Sequence, residues 1–145
     1  MSTTPYEVDF CRWAAETAAR ALREGRIADL DLAHIAEEIE DMGKGERREL
    51  VSRLAVLLAH LVKWVRQPEQ HGNSWRATIE EQRAEVLDLI ADGPSLRPVL
   101  EERLADAYAK AVRIAVRDTG FDPTAFPPEC PFTVNDALNR DLWPS

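Results

Sequence analysis

The sequence predicts an all-α fold, a single-domain helical bundle of about five helices with a proline-rich C-terminal tail. Helix-forming Ala, Leu, Glu and Arg recur along the 145 residues, and runs of β-branched residues are nearly absent. Apolar residues return at helical spacing between stretches that contain Gly or Pro. A composition of 45% hydrophobic and 30% charged residues is typical of a globular domain rather than a disordered chain.

The first helix is predicted from a start signal near the N-terminus. Thr4, Pro5 and Glu7 fit a capping box with proline at the first helical position. Gly25 is expected to end the helix, because glycine readily adopts the left-handed conformation found there. The side chains predicted to face inward are Tyr6, Phe10, Trp13, Ala14, Thr17 and Ala21.

The second helix is expected to begin after Asp29 or Asp31, either of which can cap it. Its inward stripe is predicted to consist of Leu32, Ile35, Ala36, Ile39 and Met42. The Gly-Lys-Gly segment at 43–45 is predicted to break or bend the chain. A third helix should follow from about Glu46 to Gln67. Its middle, LVSRLAVLLAHLVKWV, is apolar on most sides, so we expect this helix to be the most buried element.

Two further helices are indicated by caps and breakers. Asn73 or Ser74 is predicted to cap helix four, which Gly93-Pro94 ends. Ser95 is predicted to cap helix five, which runs to about Asp118. This helix is acidic at its start and basic at its end, which matches the helix dipole.

The tail, residues 120–145, changes in character. It holds five of the nine prolines and three of the four phenylalanines, and a short helix is predicted to begin near Thr133. A tail with so many large apolar groups is expected to pack on the bundle. We therefore expect one domain over 1–145, with a core over about 5–119.

The charge of the chain bears on its partners and its compartment. A formal charge of −8 repels phosphate backbones, so nucleic-acid binding is not expected. No export signal is visible, and the longest apolar stretch, Leu54 to Val62, is far short of the roughly 20 residues that cross a bilayer. Cys11 and Cys130 form no CxxC motif. These features predict a cytoplasmic protein with reduced thiols and no membrane association.

Helix two carries a possible metal site. His34, Glu38 and Asp41 follow the spacing i, i+4 and i+7, which places them on one flank of a helix. With Glu37 beside them and His60 from helix three, they offer ligands of the type that bundle metal sites draw from facing helices. A divalent metal ion would then be the cofactor, and otherwise none is expected. The alternative is a solvated acidic face near a helix N-terminus.

The connection between helices three and four is a possible partner surface. Residues 63–79, KWVRQPEQHGNSWRATI, combine aromatic side chains with arginines, as partner-binding surfaces often do. The candidates are Trp64, Arg66, His71, Asn73, Trp75 and Arg76. The alternative is that the tryptophans belong to the core and that Arg76 pairs with Glu80 one turn on.

Several segments resemble a known family, the bacterial domain-of-unknown-function family number 29. They are DLDLAHIAEEIEDMG, the ERR turn, the leucine-rich helix ending HLVKW, SWRATIEEQRAEV and FPPECPFTVNDAL. The resemblance covers about Tyr6 to Leu142, with one departure at Gly45, where members often carry serine. It implies a small, all-helical, bacterial cytosolic domain, and it implies no activity, cofactor or catalytic residue.

The leading functional interpretation is a non-enzymatic helical module for protein–protein interaction or regulation. It would bind a protein partner or self-associate. A metal-dependent hydrolase that uses the histidine and carboxylate cluster is the first alternative. The second is an RNA-cleaving toxin-like protein, because Arg66 and His71, like Arg53 and His60, match an arginine-to-histidine spacing found in some all-helical ribonucleases.

Overall fold

The computed structural model describes Tyr6 and residues 9–145, with the side chain of Asp29 excepted. Helices and short 3-10 turns make up the elements of this part of the chain, which contains no strand. The predicted all-α fold is therefore confirmed. None of the helices in the described part has the length and apolar character needed to cross a bilayer. The chain divides into two compact units, Met1–Gly45 and Glu46–Ser145, which are described in turn.

The first unit begins with a helix that changes its hydrogen-bonding pattern along its length. We name α1 the continuous run of Phe10–Arg12, the π-helical segment Trp13–Ala18 and Ala19–Arg23. Trp13 and Ala21 are its most buried side chains. A π-helical segment widens the helix by one residue per turn and so changes which side chains share a face.

Both ends of α1 have identifiable caps. The Asp9 carboxylate accepts a hydrogen bond from the Arg12 backbone N–H at 3.0 Å. The predicted capping box of Thr4, Pro5 and Glu7 rests on residues outside the described part of the chain. Gly25 has φ 68° and follows the last turn, as predicted.

The longest helix, α2, spans Leu32–Arg66. Asp31 caps it, accepting a hydrogen bond from the His34 backbone N–H at 3.2 Å, as one of the two predicted caps. The predicted interruption at 43–45 is wrong, because the helix runs through these residues without a break. Each glycine costs only about 1 kcal/mol relative to alanine in a helix, and strong helix formers flank both glycines. The penalty is therefore too small to end a helix of this length.

The predicted inward stripe of helix two is also wrong for its largest members. Leu32, Ile39 and Met42 are 63%, 64% and 70% exposed. Helical periodicity specifies which side chains share a face, but not whether another element covers that face. In the first unit, α1 contacts a different face of α2 through the rings of Trp13 and His34, which lie 6.5 Å apart.

The second unit has a continuous hydrophobic core. It is built from the C-terminal part of α2, from α3 (Asn73–Asp92), α4 (Arg97–Thr119) and the short α5 (Val134–Leu138). All eleven buried residues of α2 lie between Leu50 and Trp64. The segment LVSRLAVLLAHLVKWV is thus the most buried stretch, as expected.

The helix starts in the second unit differ partly from the prediction. The residue before α3 is Gly72, and no side chain caps the helix, so neither Asn73 nor Ser74 has the predicted role. Ser95 does not cap α4 either, because it lies within a 3-10 turn, Pro94–Leu96, that leads directly into the helix. The short helix after Thr133 is confirmed, and Thr133 forms a capping box with Asp136.

The tail contributes large side chains to the core of the second unit. Phe126 and Phe132 are buried beside the helices, together with Leu138 of α5. The Tyr108 hydroxyl donates a hydrogen bond of 2.6 Å to the Pro127 carbonyl, which ties the tail to α4. Each proline in this stretch removes a backbone donor, so the segment needs few backbone partners of its own.

Candidate functional site

The predicted metal flank on α2 is occupied by an aromatic contact. The Tyr6 ring stacks on the His34 imidazole, with centroids 4.1 Å apart and planes 13° from parallel. The Tyr6 hydroxyl donates a hydrogen bond to the Glu38 carboxylate. A hydrogen bond joins His34 Nδ1 to the Asp31 carboxylate and holds the pKa of that carboxyl below its usual value. His34 and Glu38 therefore both contact aromatic or polar side chains within the first unit.

The remaining members of the predicted metal set are Glu37, Asp41 and His60. Glu37 and Asp41 are exposed on α2. His60 belongs to the second unit, where its Nδ1–H donates to the Val56 carbonyl at 2.8 Å and burial lowers its pKa. Among the described residues, no group of three or more His, Cys, Asp or Glu side chains is placed to hold a metal ion. The metal-site interpretation stays a prediction.

Both tyrosine hydroxyls of the chain are expected to lose their protons at a higher pH than an ordinary tyrosine. The hydrogen bond to Glu38 raises the pKa of Tyr6 to about 12, and burial raises that of Tyr108 to about 12. Because both folded values exceed the usual 10, these contacts stabilise the fold fully below pH 10, and the contribution is lost as pH rises through about 12. The near-ultraviolet absorbance of tyrosinate should therefore stay low at about pH 10.5 in the folded chain, where an unfolded control is already more than half ionised.

In the Tyr108→Phe variant, Tyr6 is the one remaining tyrosine, so the tyrosinate absorbance reports on Tyr6 alone. Its absorbance should still rise only well above pH 10. A half-ionised tyrosine near pH 10 in this variant, with native circular dichroism, would contradict the Tyr6–Glu38 contact.

The connection between α2 and α3 assembles an aromatic and cationic cluster in the second unit. The His71 imidazole stacks on the Trp64 indole with centroids 3.6 Å apart, and its Nε2–H donates to the Trp64 carbonyl. Trp64 is 4% exposed and belongs to the core, as its alternative interpretation held. The Arg76 guanidinium lies 5.9 Å from the Trp64 ring centroid. Three of the six predicted partner-surface residues therefore meet at one place.

The other three predicted residues lie outside this contact. Arg66 and Asn73 are exposed, and Trp75 is half-buried against the core. The Lys63 ammonium lies 5.6 Å from the Trp75 ring centroid and pairs with Asp118 at 3.0 Å. The predicted Arg76–Glu80 pair does not form. Arg76 instead faces an aromatic ring from the tail.

Sequence reasoning missed the two residues that complete the cluster. Trp143 of the tail lies 4.9 Å from Trp64, ring centroid to ring centroid, and the Arg76 guanidinium is 4.3 Å from its ring. Arg83 is fully buried, and its guanidinium is 5.3 Å from the Trp143 ring. Arg83 follows Arg76 by two helical turns, and this spacing is the one sequence signal that places both on one face of α3.

The exposed apolar side chains are concentrated in the first unit. Seven large hydrophobic residues of the described chain are exposed, and six of them belong to residues 1–45: Phe10, Leu22, Ile27, Leu32, Ile39 and Met42. We call Leu32, Ile35, Ile39 and Met42 the α2 stripe, because they follow one another at helical spacing. Exposed apolar side chains that follow one another in this way are typical of interaction surfaces.

Acidic side chains border the α2 stripe. Helical periodicity places Glu40 on one side of the stripe and Glu38 on the other. Glu40 forms no ion pair with any described residue, and Glu38 accepts the hydrogen bond from Tyr6. The surface is therefore apolar along its centre and negative along its edges.

The second unit has a groove of the opposite character between α2 and α4. Two adjoining pockets of about 380 and 450 Å³ share Ser52, Lys110 and Arg113. Five cations and one acid line them, namely Arg48, Arg103, Lys110, Arg113, Arg117 and Asp106. Apolar side chains form the floor, namely Val51, Ala55, Val56 and Ile114. We call this surface the basic groove.

Comparison with known proteins gives one match. The family model described as "Domain of unknown function DUF29" matches residues 5–143, nearly the whole chain. No curated protein and no solved structure matches this sequence.

Proposed function

This chain belongs to the DUF29 family, and we propose that it is a non-enzymatic helical module that binds a protein partner through the α2 stripe. The observation that carries the proposal is the concentration of six of the seven exposed large hydrophobic side chains in the first unit. The second unit, by contrast, packs most of its large apolar residues into or against one core, and Phe121 is its exposed exception among the described residues.

The chemistry of the partner follows from the edges of the stripe. An apolar partner surface would remove the exposed side chains of Leu32, Ile39 and Met42 from water, which is favourable. The carboxylates of Glu38 and Glu40 at the edges of the stripe favour a partner with basic side chains beside its apolar surface. A partner with acidic edges would be repelled. We therefore propose that the occupant is a protein surface with an apolar centre and a basic rim.

A peptide pair tests this proposal. One synthetic amphipathic helix carries a leucine face bordered by lysines, and its counterpart carries glutamates at the lysine positions. We expect the lysine peptide to bind at least about tenfold more tightly, measured by fluorescence anisotropy at low protein concentration. Equal binding of the two peptides would contradict the proposed partner chemistry.

Two variants test whether the lysine peptide binds at the α2 stripe. Ile39→Ser/Met42→Ser should weaken binding of the lysine peptide at least about tenfold, because it removes the two side chains most exposed on the stripe. The matched control is Phe121→Ser, which changes the exposed large hydrophobic residue of the second unit. An equal loss in both variants would overturn the assignment to the α2 stripe.

A further inference from the structure

The α2 stripe and the basic groove are complementary surfaces of the same chain. The stripe is apolar with acidic edges, and the groove has an apolar floor with a basic rim. We propose that the α2 stripe of one copy docks in the basic groove of a second copy, so that two chains form a reciprocal dimer. This inference rests on the proposed function, since it identifies the partner of the same stripe.

Several charges on the two surfaces have no ion-pair partner among the described residues. Arg48, Arg103, Lys110 and Arg113 of the groove form no ion pair with any described residue. Five cations around a single acid are unusual in a chain whose net charge is −8. The acids beside the stripe, Glu38 and Glu40, supply the opposite charge, which favours contact between the two surfaces.

The floor of the groove favours a protein rather than a nucleic acid. Val51 and Ala55 are buried at its base, and Val56 and Ile114 are half-buried along it. A phosphate backbone has no apolar group to place on such a floor, whereas Leu32, Ile39 and Met42 have side chains that fit this purpose. The overall negative charge of the chain would further oppose a nucleic acid.

Reciprocal docking satisfies both surfaces at once. Each copy carries one stripe and one groove, so an exchange between two copies buries two stripes and leaves no unmatched surface. Two-fold closure is the commonest symmetry of homo-oligomers and avoids open chains. The expected particle has twice the 16.4 kDa mass of one chain.

Light scattering after size-exclusion chromatography tests the dimer with the full chain. We expect a dimer whose dissociation constant rises with salt concentration, because opposite charges contribute to the contact. A particle that stays monomeric at every protein concentration overturns the inference. If the monomer still binds the lysine peptide through the stripe, the proposed function stands and only the self-association fails. If it does not, both fail.

Charge reversal tests which surfaces meet. Glu40→Lys reverses the edge of the stripe, and Lys110→Glu/Arg113→Glu reverses the rim of the groove. Each variant should raise the dissociation constant of the homodimer at least about tenfold. An equimolar mixture of the two variants should form a mixed dimer, because reversed edge meets reversed rim and native edge meets native rim.

The control matched to the stripe variant is Glu81→Lys on α3, which makes the same change in net charge as Glu40→Lys at an exposed position that belongs to neither surface. Its dissociation constant should stay within about threefold of that of the unchanged chain. Far-ultraviolet circular dichroism checks that every variant is folded, and Arg48→Glu/Arg103→Glu is the replacement if the first groove variant is not. A dimer that survives reversal of either surface, or a mixture that fails to pair, overturns the docking.

Discussion

Replacing Arg83 by alanine is expected to lower the free energy of unfolding by about 3 kcal/mol, whereas Arg83→Met should recover at least about 2 kcal/mol of that loss. Arg83 is fully buried on α3, and its Nε–H donates to the Ala137 carbonyl at 2.8 Å. Its Nη1 and Nη2 have no hydrogen-bond partner among the described residues. Burial accordingly lowers its pKa.

The expected difference between the two variants follows from what the side chain contributes. The aliphatic stem fills space in the core between α3, α5 and Trp143, and methionine fills much of the same space. The guanidinium gains one hydrogen bond and a ring contact but loses most of its hydration, so its net contribution is small. Alanine removes the stem and leaves a cavity.

Urea unfolding followed by circular dichroism measures both variants. Arg76→Ala is the matched control, because Arg76 is exposed two turns earlier on the same helix face and its guanidinium lies closer to the Trp143 ring, at 4.3 Å. We expect this control to cost less than about 1 kcal/mol. If Arg83→Met is as unstable as Arg83→Ala, the charged group rather than its stem stabilises the core.

Asp118→Ala is expected to lower the free energy of unfolding by about 2 kcal/mol. The Lys63 ammonium pairs with Asp118 at 3.0 Å, and the side chains are 9% and 34% exposed. Removing the carboxylate leaves a nearly buried ammonium without its ion pair, which typically costs 3–5 kcal/mol when both groups are buried. The exposure of Asp118 reduces this to about 2 kcal/mol.

A double-mutant cycle isolates the pair. In Lys63→Met/Asp118→Ala the buried charge is gone, so most of the loss should be recovered. Arg117→Met is the control, because Arg117 contacts the same carboxylate at 3.1 Å from an exposed position, and it should cost less than about 0.5 kcal/mol. Strictly additive effects of the two single changes would show that the pair contributes nothing.

The same pair predicts a dependence on pH. The hydrogen bond from Lys63 lowers the pKa of Asp118 below its usual 3.8. A lowered folded pKa means that the stabilisation is complete well above 3.8 and is lost as pH falls through the folded value. The difference in stability between the unchanged chain and Asp118→Ala should therefore shrink in acid. A difference that stays constant below pH 3.8 would contradict the pair's contribution.

Much of the helical architecture could be predicted from the sequence. The apolar segment Leu54 to Val62 required burial, because no charged residue interrupts it. Gly25 and the cap at Thr133 mark a helix end and a helix start that the structure confirms. These features depend on residues within a few positions of one another, so the sequence alone can predict them.

The candidate surfaces were only partly predictable. Trp64, His71 and Arg76 lie within thirteen residues, so a pattern search found them. Trp143 lies far along the chain, and no local signal connects it to Trp64. The basic groove joins positions on α2 and α4 that are separated by about fifty residues. Such surfaces exist only once the helices are packed.

The sequence by itself determined the helical class, the family, the most buried segment and most helix ends, because periodicity and capping act over one or two turns. It also determined that Leu32, Ile39 and Met42 share one face. Only the tertiary structure decided that this face is exposed and that Arg83 lies buried beneath Trp143. The physical reason is that burial depends on which distant element packs on a face, and periodicity carries no information about that element.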